Sequence, residues 1–319
     1  MTVIYKKTTE LSDAEIQNIC DVFSEVFPEH SRSVASFKNE FLNTDFGYSF
    51  HGLLMDGEKI VGSQSYIPFV YLIDGSEKEA GLSVDTMIMK EYRNFDNIYD
   101  LLSKGHKLLK ESGFSFVFGF PNDNAYPLLT KGLREKDIGD LSTYILPYKI
   151  GSIKEKLKSF NFISKIFSAA VIKFSLFSGN TETKEYRIQK NRTKFNDYRY
   201  KWFDGNYKKV NKKDFEFFYK IKKHQGVETA FLIDVHPLNK KNFDEAVRDV
   251  YQLEKKNFDI ILYIGHLHFT PMSLIKIPKK NEPKTFHFTA KILDSKSITP
   301  EVLYDVNNWD VNLSNYDLL

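Results

Sequence analysis

The chain has 319 residues, 42% hydrophobic and 27% charged, with 28 Phe and 18 Tyr. At about 150 residues per domain this favours two folded domains and excludes a disordered chain. A single cysteine, Cys20, excludes a disulfide-stapled scaffold, and a formal charge of +3 is too small to imply nucleic acid by itself.

Met1–Glu10 holds no apolar core of a signal peptide. No uninterrupted apolar run of about 20 residues follows, so the expectation is a cytoplasmic chain without a spanning helix. Val3–Tyr5 is a short strand candidate. Ser12 and Glu15 form an S-x-x-E capping box, and Ile16, Ile19, Cys20, Phe23, Val26 and Phe27 follow at the 3–4 spacing of a one-sided helix. Pro28 ends it. A second helix is expected over Val34–Leu42. Tyr48–Met55 and Lys59–Tyr71 flank Asp56-Gly57, a hairpin signal because both residues tolerate positive φ. Asp74-Gly75 turns the chain again into Ala80–Met89. A third helix starts near Asn97 and stops at Gly113. The apolar run Phe114–Phe120 is expected as a buried strand. A short helix near Asn124 and a strand at Thr143–Leu146 close the first 150 residues.

Residues 151–183 centre on an apolar helix. It is expected to pack between domains or, through Lys154, Lys156, Lys158, Lys165 and Lys173, to lie on a membrane surface as a peripheral contact over 157–178. Between Lys184 and Lys213, 11 Lys or Arg face 3 Asp or Glu, interleaved with Tyr186, Phe195, Tyr198, Tyr200, Trp202, Phe203 and Tyr207. That stretch suits a solvated face with tyrosines packed inward, an anionic small-molecule site, or single-stranded nucleic acid. Strands follow at Phe231–Val235, Ile260–Gly265, Ser273–Ile277 and Thr285–Leu293, with a helix marked by Phe243, Ala246, Val247, Val250 and Tyr251. At the C-terminus, Trp309-Asp310-Val311 and Tyr316-Asp317-Leu318 suggest a packed edge. The fold class is therefore mixed α/β in two domains, 1–150 and 184–319, joined by 151–183. The second domain suggests a degenerate copy of the first.

Chemistry concentrates in Ser83–Lys131. The strand Val84–Met89 runs through Lys90–Ile98 into a helix, whose free N-terminal amides and dipole make an anion site. Arg93 adds a fixed positive charge. Asp85 on the strand is the base candidate in this half; its simpler role is a strand-end hydrogen bond or salt bridge. His266 and His268 alternate on one strand and could join His236 or His287 around a metal, but no Cys or Glu lies at matching spacing, so no metal is expected. His224 and His236 are acid or base candidates by residue type alone.

The strand–"EYRNFDN"–helix segment, then "FVFGFPNDNAYPLL", preceded by "LLMDGEKIVGSQSYIPF", resembles the GNAT superfamily of acyl-CoA N-acyltransferases. The resemblance implies a GNAT-like N-terminal domain, and a tandem GNAT arrangement if the second domain is a copy. It implies acetyl-CoA as co-substrate, with Met87, Ile88 and Met89 along the pantetheine arm. The turn of Arg93, Asn94, Asp96, Asn97 and Ile98 would hold the pyrophosphate, and Asn122 would meet the cofactor near its thiol. Asn94, Asp96 and Asn97 stand where the family pattern has glycines. The family's tyrosine acid would fall near Leu129, and Tyr126 is the nearest substitute. The implied reaction moves a short acyl group to a primary amine or nucleotide-sugar acceptor, such as an amino sugar of a surface polysaccharide pathway. A Fem-like transferase using aminoacyl-tRNA, with Lys184–Lys213 as the RNA contact, and a non-catalytic binding protein of the same fold are the alternatives.

Overall fold

The computed structural model describes residues 1–179, 184–200 and 206–316. Trp202, Phe203, Asp317 and Leu318 lie outside the described residues. Strand β1 (Thr2–Lys7) precedes α1 (Asp13–Val26), capped as the sequence requires: Ser12 accepts from the Glu15 amide and Glu15 accepts from the Ser12 amide. Helix α2 (Val34–Leu42) is capped by Ser33. A meander of β2 (Phe50–Asp56), β3 (Lys59–Ile73) and β4 (Ser76–Ile88) follows. Its second turn takes φ +48 at Asp74 and +80 at Gly75, the left-handed pair a tight hairpin needs.

Helix α3 (Phe95–Glu111) begins two residues before the expected Asn97, because Asn94 is the N-cap and Asn97 the third helical residue. Next come β5 (Phe116–Gly119) and β6 (Lys136–Pro147), the latter starting well before Thr143. The charged, glycine-interrupted Lys136–Asp140 gives no strand signal in sequence. Helix α4 (Asn161–Phe174), β7 (Ile188–Lys190), α5 (Arg192–Arg199), β8 (Lys208–Asn211), β9 (Glu216–His224) and β10 (Val227–His236) come next. Helix α6 (Lys240–Glu254), β11 (Ile260–Gly265), β12 (Ile275–Lys276) and β13 (Phe286–Ile292) complete the regular elements used below.

Two compact units result, but not as contiguous halves. One is Met1–Asp140 with Arg187–Gly205 and Phe286–Trp309; the other is Leu141–Tyr186 with Asn206–Thr285 and Asp310–Leu319. This differs from the expected 1–150, 151–183 and 184–319 for a reason of strand pairing. β7 pairs with the end of β3 at Tyr71–Ile73, and β13 pairs antiparallel with β5, so both segments return to the first unit. Trp309 returns too: it is fully buried against Tyr71, Phe116, Phe118 and Phe288, and its indole N–H donates to the Leu303 carbonyl at 2.8 Å.

In the first unit the strands run β1–β2–β3–β4–β5–β13, antiparallel except for the parallel pair β4–β5. In the second they run β8–β9–β10–β11–β6, with only β10–β11 parallel. Phe217, Leu232, Phe243, Val247 and Ile261 centre the second core.

The second unit repeats the topology of the first. Three antiparallel strands, a helix and a parallel strand occur as β2–β3–β4–α3–β5 and again as β8–β9–β10–α6–β11. The third strand is irregular in both, at Val84–Met87 of β4 and at Leu232–Asp234 of β10. Both helices open with N-x-x-N. Asn94 caps the Asn97 amide, and Asn97 Nδ2 donates to the Tyr92 carbonyl at 2.7 Å. Asn239 caps the Asn242 amide, and Asn242 Nδ2 donates to the Pro237 carbonyl at 3.0 Å.

Candidate functional site

The parallel pair of the first unit separates early. β4 and β5 are paired from Ala80–Phe116 to Ser83–Gly119, after which β4 runs on to Ile88 with β3 as its one strand partner among the described residues. Among the described residues the β4 edge from Val84 to Ile88 therefore has no strand on its β5 side. Within it, Asp85 and Thr86 oppose the single residue Gln64, a bulge in which Asp85 takes φ +53. A bulge removes its extra residue from the ladder and re-aims the backbone, as strands do next to binding sites. Gly119 permits the close approach at the fork: a Cβ there would lie 3.3 Å from the Ser83 Cβ.

Helix α3 begins beyond this edge. Asn94 Oδ1 takes the Asn97 amide at 2.9 Å and the Asn94 carbonyl takes that of Ile98. The amides of Phe95 and Asp96 are left without an intrahelical acceptor, at the positive end of the helix dipole. Arg93 is exposed, and its Nε and Nη2 donate to the Ile88 carbonyl at 3.3 and 2.9 Å. That bond fixes the guanidinium at the end of β4 and leaves three of its five N–H donors unspent there. Asp96 is also exposed, so its carboxylate stands at the same turn.

The side chains of the expected arm-lining residues Met87, Ile88 and Met89 are all buried, which leaves only their backbone to offer to a ligand. Ile98 packs with Leu102, Leu129 and Leu133. The polar side chains at the fork are ones that sequence reasoning missed: Gln64 Nε2 donates to Ser83 Oγ at 3.0 Å, and Thr86 Oγ1 donates to Gln64 Oε1.

Asp85 is held by Arg32. Arg32 also meets the buried Glu40 at 3.2 Å and lies 4.4 Å from the centre of the Phe23 ring. One guanidinium thus serves two carboxylates, and one Asp85 oxygen is already occupied by it. Nothing local in sequence signals this pair, which is 53 residues apart.

Asn122 caps its own turn, its Oδ1 accepting from the amides of Asn124 and Ala125 at 3.1 and 3.0 Å. This orients the side chain of a residue that is itself exposed. Tyr126 donates its hydroxyl to Asp137 at 2.8 Å and stacks on the His287 ring with centroids 4.1 Å apart. The bond to the Asp137 carboxylate is the main cause that pushes the phenol up to about 12. His287 bonds Asp140 through Nδ1 (2.9 Å) and Asp123 through Nε2 (3.0 Å). The β13–β5 register puts this cluster just past the C-terminal end of β5, the end of an α/β sheet at which ligands bind.

Other candidates are dispersed. His268 Nδ1 pairs with the Tyr186 hydroxyl at 3.0 Å, and burial holds the imidazole below its ordinary range. His224 is likewise lowered by burial. Among the described residues no group of three or more His, Cys, Asp or Glu is placed to hold a metal ion. In the basic stretch, Arg187 is paired with Asp74 and Lys194 with Glu77, while Lys190 and Arg199 are buried. These charges are spent inside the first unit.

Residues 7–129 match the family described as an acetyltransferase (GNAT) domain. No curated protein matches the chain. Among solved structures, a GCN5-related N-acetyltransferase from Anabaena variabilis aligns with a TM-score of 0.57 at 11% identity, covering 91% of this chain and 73% of that one. Eis1 from Mycobacterium abscessus aligns with a TM-score of 0.57 at 9% identity, covering 93% and 75%. A probable N-acyltransferase from Enterococcus faecalis aligns with a TM-score of 0.53 at 11% identity, covering 92% and 73%. At such identities the likeness is one of fold.

Proposed function

We propose that the chain is an N-acyltransferase taking its acyl group from acetyl-CoA, or another short acyl-CoA, and passing it to a primary amine, a reading supported by the match of residues 7–129 to an acetyltransferase (GNAT) domain. The observation that carries this reading is the unpaired β4 edge beyond Ser83, closed at one end by the α3 N-terminus and Arg93. An exposed strand edge suits the two amides of a pantetheine arm, which can add to it as a strand does. The two unspent helix amides and the remaining guanidinium donors suit a diphosphate. The capping side chain of Asn94 and the carboxylate of Asp96 make this a smaller anion cradle than a glycine turn offers.

Acetyl-CoA, when bound, supplies a thioester carbonyl; the transfer forms one C–N bond, breaks one C–S bond and moves one proton from amine to thiolate. The Asp85–Thr86 bulge offers backbone amides outside the β3 ladder for a developing oxyanion. Tyr126 has its proton committed to Asp137, so its part is to hold the loop after β5. An amino sugar is one member of the acceptor class, and an acceptor panel includes it beside a lysyl peptide and a free amino acid.

Thermal unfolding with acetyl-CoA is the direct test. Ligand at about 100 times its dissociation constant adds about 2.7 kcal/mol, a rise of several degrees. Arg93→Ala is expected to remove most of the rise while leaving the ligand-free melting temperature within about 2 °C. No rise in the parent at millimolar acetyl-CoA overturns the proposal, and an unchanged rise in Arg93→Ala overturns the placement of the diphosphate.

A further inference from the structure

Helix α4 faces the wrong way for a core helix. Its inward stripe is Ser164, Ser168 and Ile172, at steps of four, and both serine hydroxyls donate to the Pro147 carbonyl, Ser168 at 3.0 Å. Its outward stripe is Phe162, Ile163, Ile166, Phe167 and Phe174, continued by Phe177; Phe162 is 72% and Phe177 76% exposed. An amphipathic helix of a water-soluble body normally shows the reverse. The helix is firmly seated. Arg248 donates to the Ser175 carbonyl at 2.6 Å, Ser178 donates to Asp244 at 2.6 Å, and the Gly151 amide donates to Asn161 at 2.7 Å. The serine side is thus the docked side, and the phenylalanines form a contiguous apolar surface of the kind that marks an interaction site.

Charge decides what covers it. Lys154, Lys156, Lys158, Lys165 and Lys173 are exposed along the same segment, and Glu155 is the one acidic residue between 150 and 178. A second copy of the chain would bring lysines against lysines. An anionic lipid surface meets both features, headgroups taking the ammonium groups and the acyl boundary taking the aromatic stripe. Residues Glu155–Phe177 are a helical stretch of 23 residues, long and apolar enough by themselves to cross a membrane. The serine face of its α-helical part, however, is committed to protein through the Pro147 carbonyl, which leaves the phenylalanine stripe alone to meet lipid.

We propose that α4 and the lysine-rich turn before it form an interfacial anchor that seats the second unit on anionic membranes, the helix lying in the plane of the surface. Flotation of the full chain with vesicles of phosphatidylcholine, alone or mixed with phosphatidylglycerol, tests this. Binding is expected to the mixed vesicles and to fall as salt is raised. Phe162→Gln/Ile166→Gln/Phe174→Gln, all at exposed positions, is expected to weaken binding at least ~10-fold with an unchanged circular dichroism spectrum. Lys154→Glu/Lys156→Glu/Lys158→Glu is expected to abolish the preference for phosphatidylglycerol. The proposal is overturned if neither vesicle is bound, or if both bind equally. It is also overturned if the chain proves to be a dimer that the glutamine variant splits, or if bound chain resists alkaline extraction as a spanning protein does.

Discussion

His51 bears on stability from outside the candidate site. Its ring is buried between Thr8 Oγ1 and Ser65 Oγ, each at 2.8 Å, and packs on Phe37 and Phe41. Burial first, and the nearby Arg32 charge second, push the imidazole down to about 3 from 6.5. Above pH 6.5 both folded and unfolded chains hold it neutral; between 6.5 and 3 only the unfolded chain takes the proton, so stability falls as pH falls. The stability advantage of the parent over His51→Gln, from urea melts, is expected to shrink by about 2.7 kcal/mol between pH 7 and about pH 4.5, two units at about 1.36 kcal/mol each. An advantage that stays constant across that range sinks this account. Residue identities at the site were only half legible in sequence. Asn94, Asn97 and Asn122 stand out as turn asparagines, but an asparagine that caps a helix and one that meets a ligand have the same local surroundings. The partner that holds Asp85 belongs to another element.

At the scale of elements, α3 is the piece on which the site depends, because it carries the turn that closes the open edge. Its position is set by Gly105, where a Cβ would fall 2.4 Å from both the Tyr5 hydroxyl and a Tyr66 ring carbon. The Tyr5 hydroxyl donates to the Leu101 carbonyl at 2.6 Å in that space, and Tyr66 packs with Leu109 and Phe114. Alanine at 105 gains about 1 kcal/mol of helix propensity. It also forces the buried Tyr66 ring and the half-buried Tyr5 ring aside, at about 1–3 kcal/mol plus the bond to Leu101. Gly105→Ala is therefore expected to lower urea stability by about 1–3 kcal/mol, and a stabilised variant would refute the packing argument. The helix itself was plain from its periodicity, as was α1 from its capping box and apolar spacing. β9 was not anticipated, since its second half, Ile221–His224, is basic and largely exposed. Nor was the long first part of β6, whose polar residues carry no strand pattern.

For the whole molecule, each compact unit is assembled from three separate stretches of chain, an arrangement that no sequence signal carries. Periodicity is a local signal, while β7 and β13 rejoin β3 and β5 by pairings more than 100 residues apart in sequence. The repeated element order raises a question of function, because the fork recurs: β10 and β11 pair only from Thr229–Ile260 to Phe231–Leu262 before parting. There the likeness to the first fork ends. The segment after Trp309 lies against both strands, with the His266 amide donating to the Val311 carbonyl at 3.0 Å, Gly265 bridged to Asn312, and Asn312 Nδ2 donating to Asp234 at 2.9 Å. Val311, Asn312, Leu313, Ser314 and Asn315 are all buried there. A ligand would have to displace this segment, exposing its apolar side chains and leaving the buried Asp234 without the Asn312 amide, a cost of several kcal/mol. Two similar forks therefore predict one acyl-CoA per chain. Isothermal titration with acetyl-CoA is expected to give a stoichiometry of one, and Arg93→Ala to weaken that single event with no second one emerging. A stoichiometry of two, with one class of site untouched by Arg93→Ala, would mean that the C-terminal segment yields to the ligand and that the second fork remains a working site.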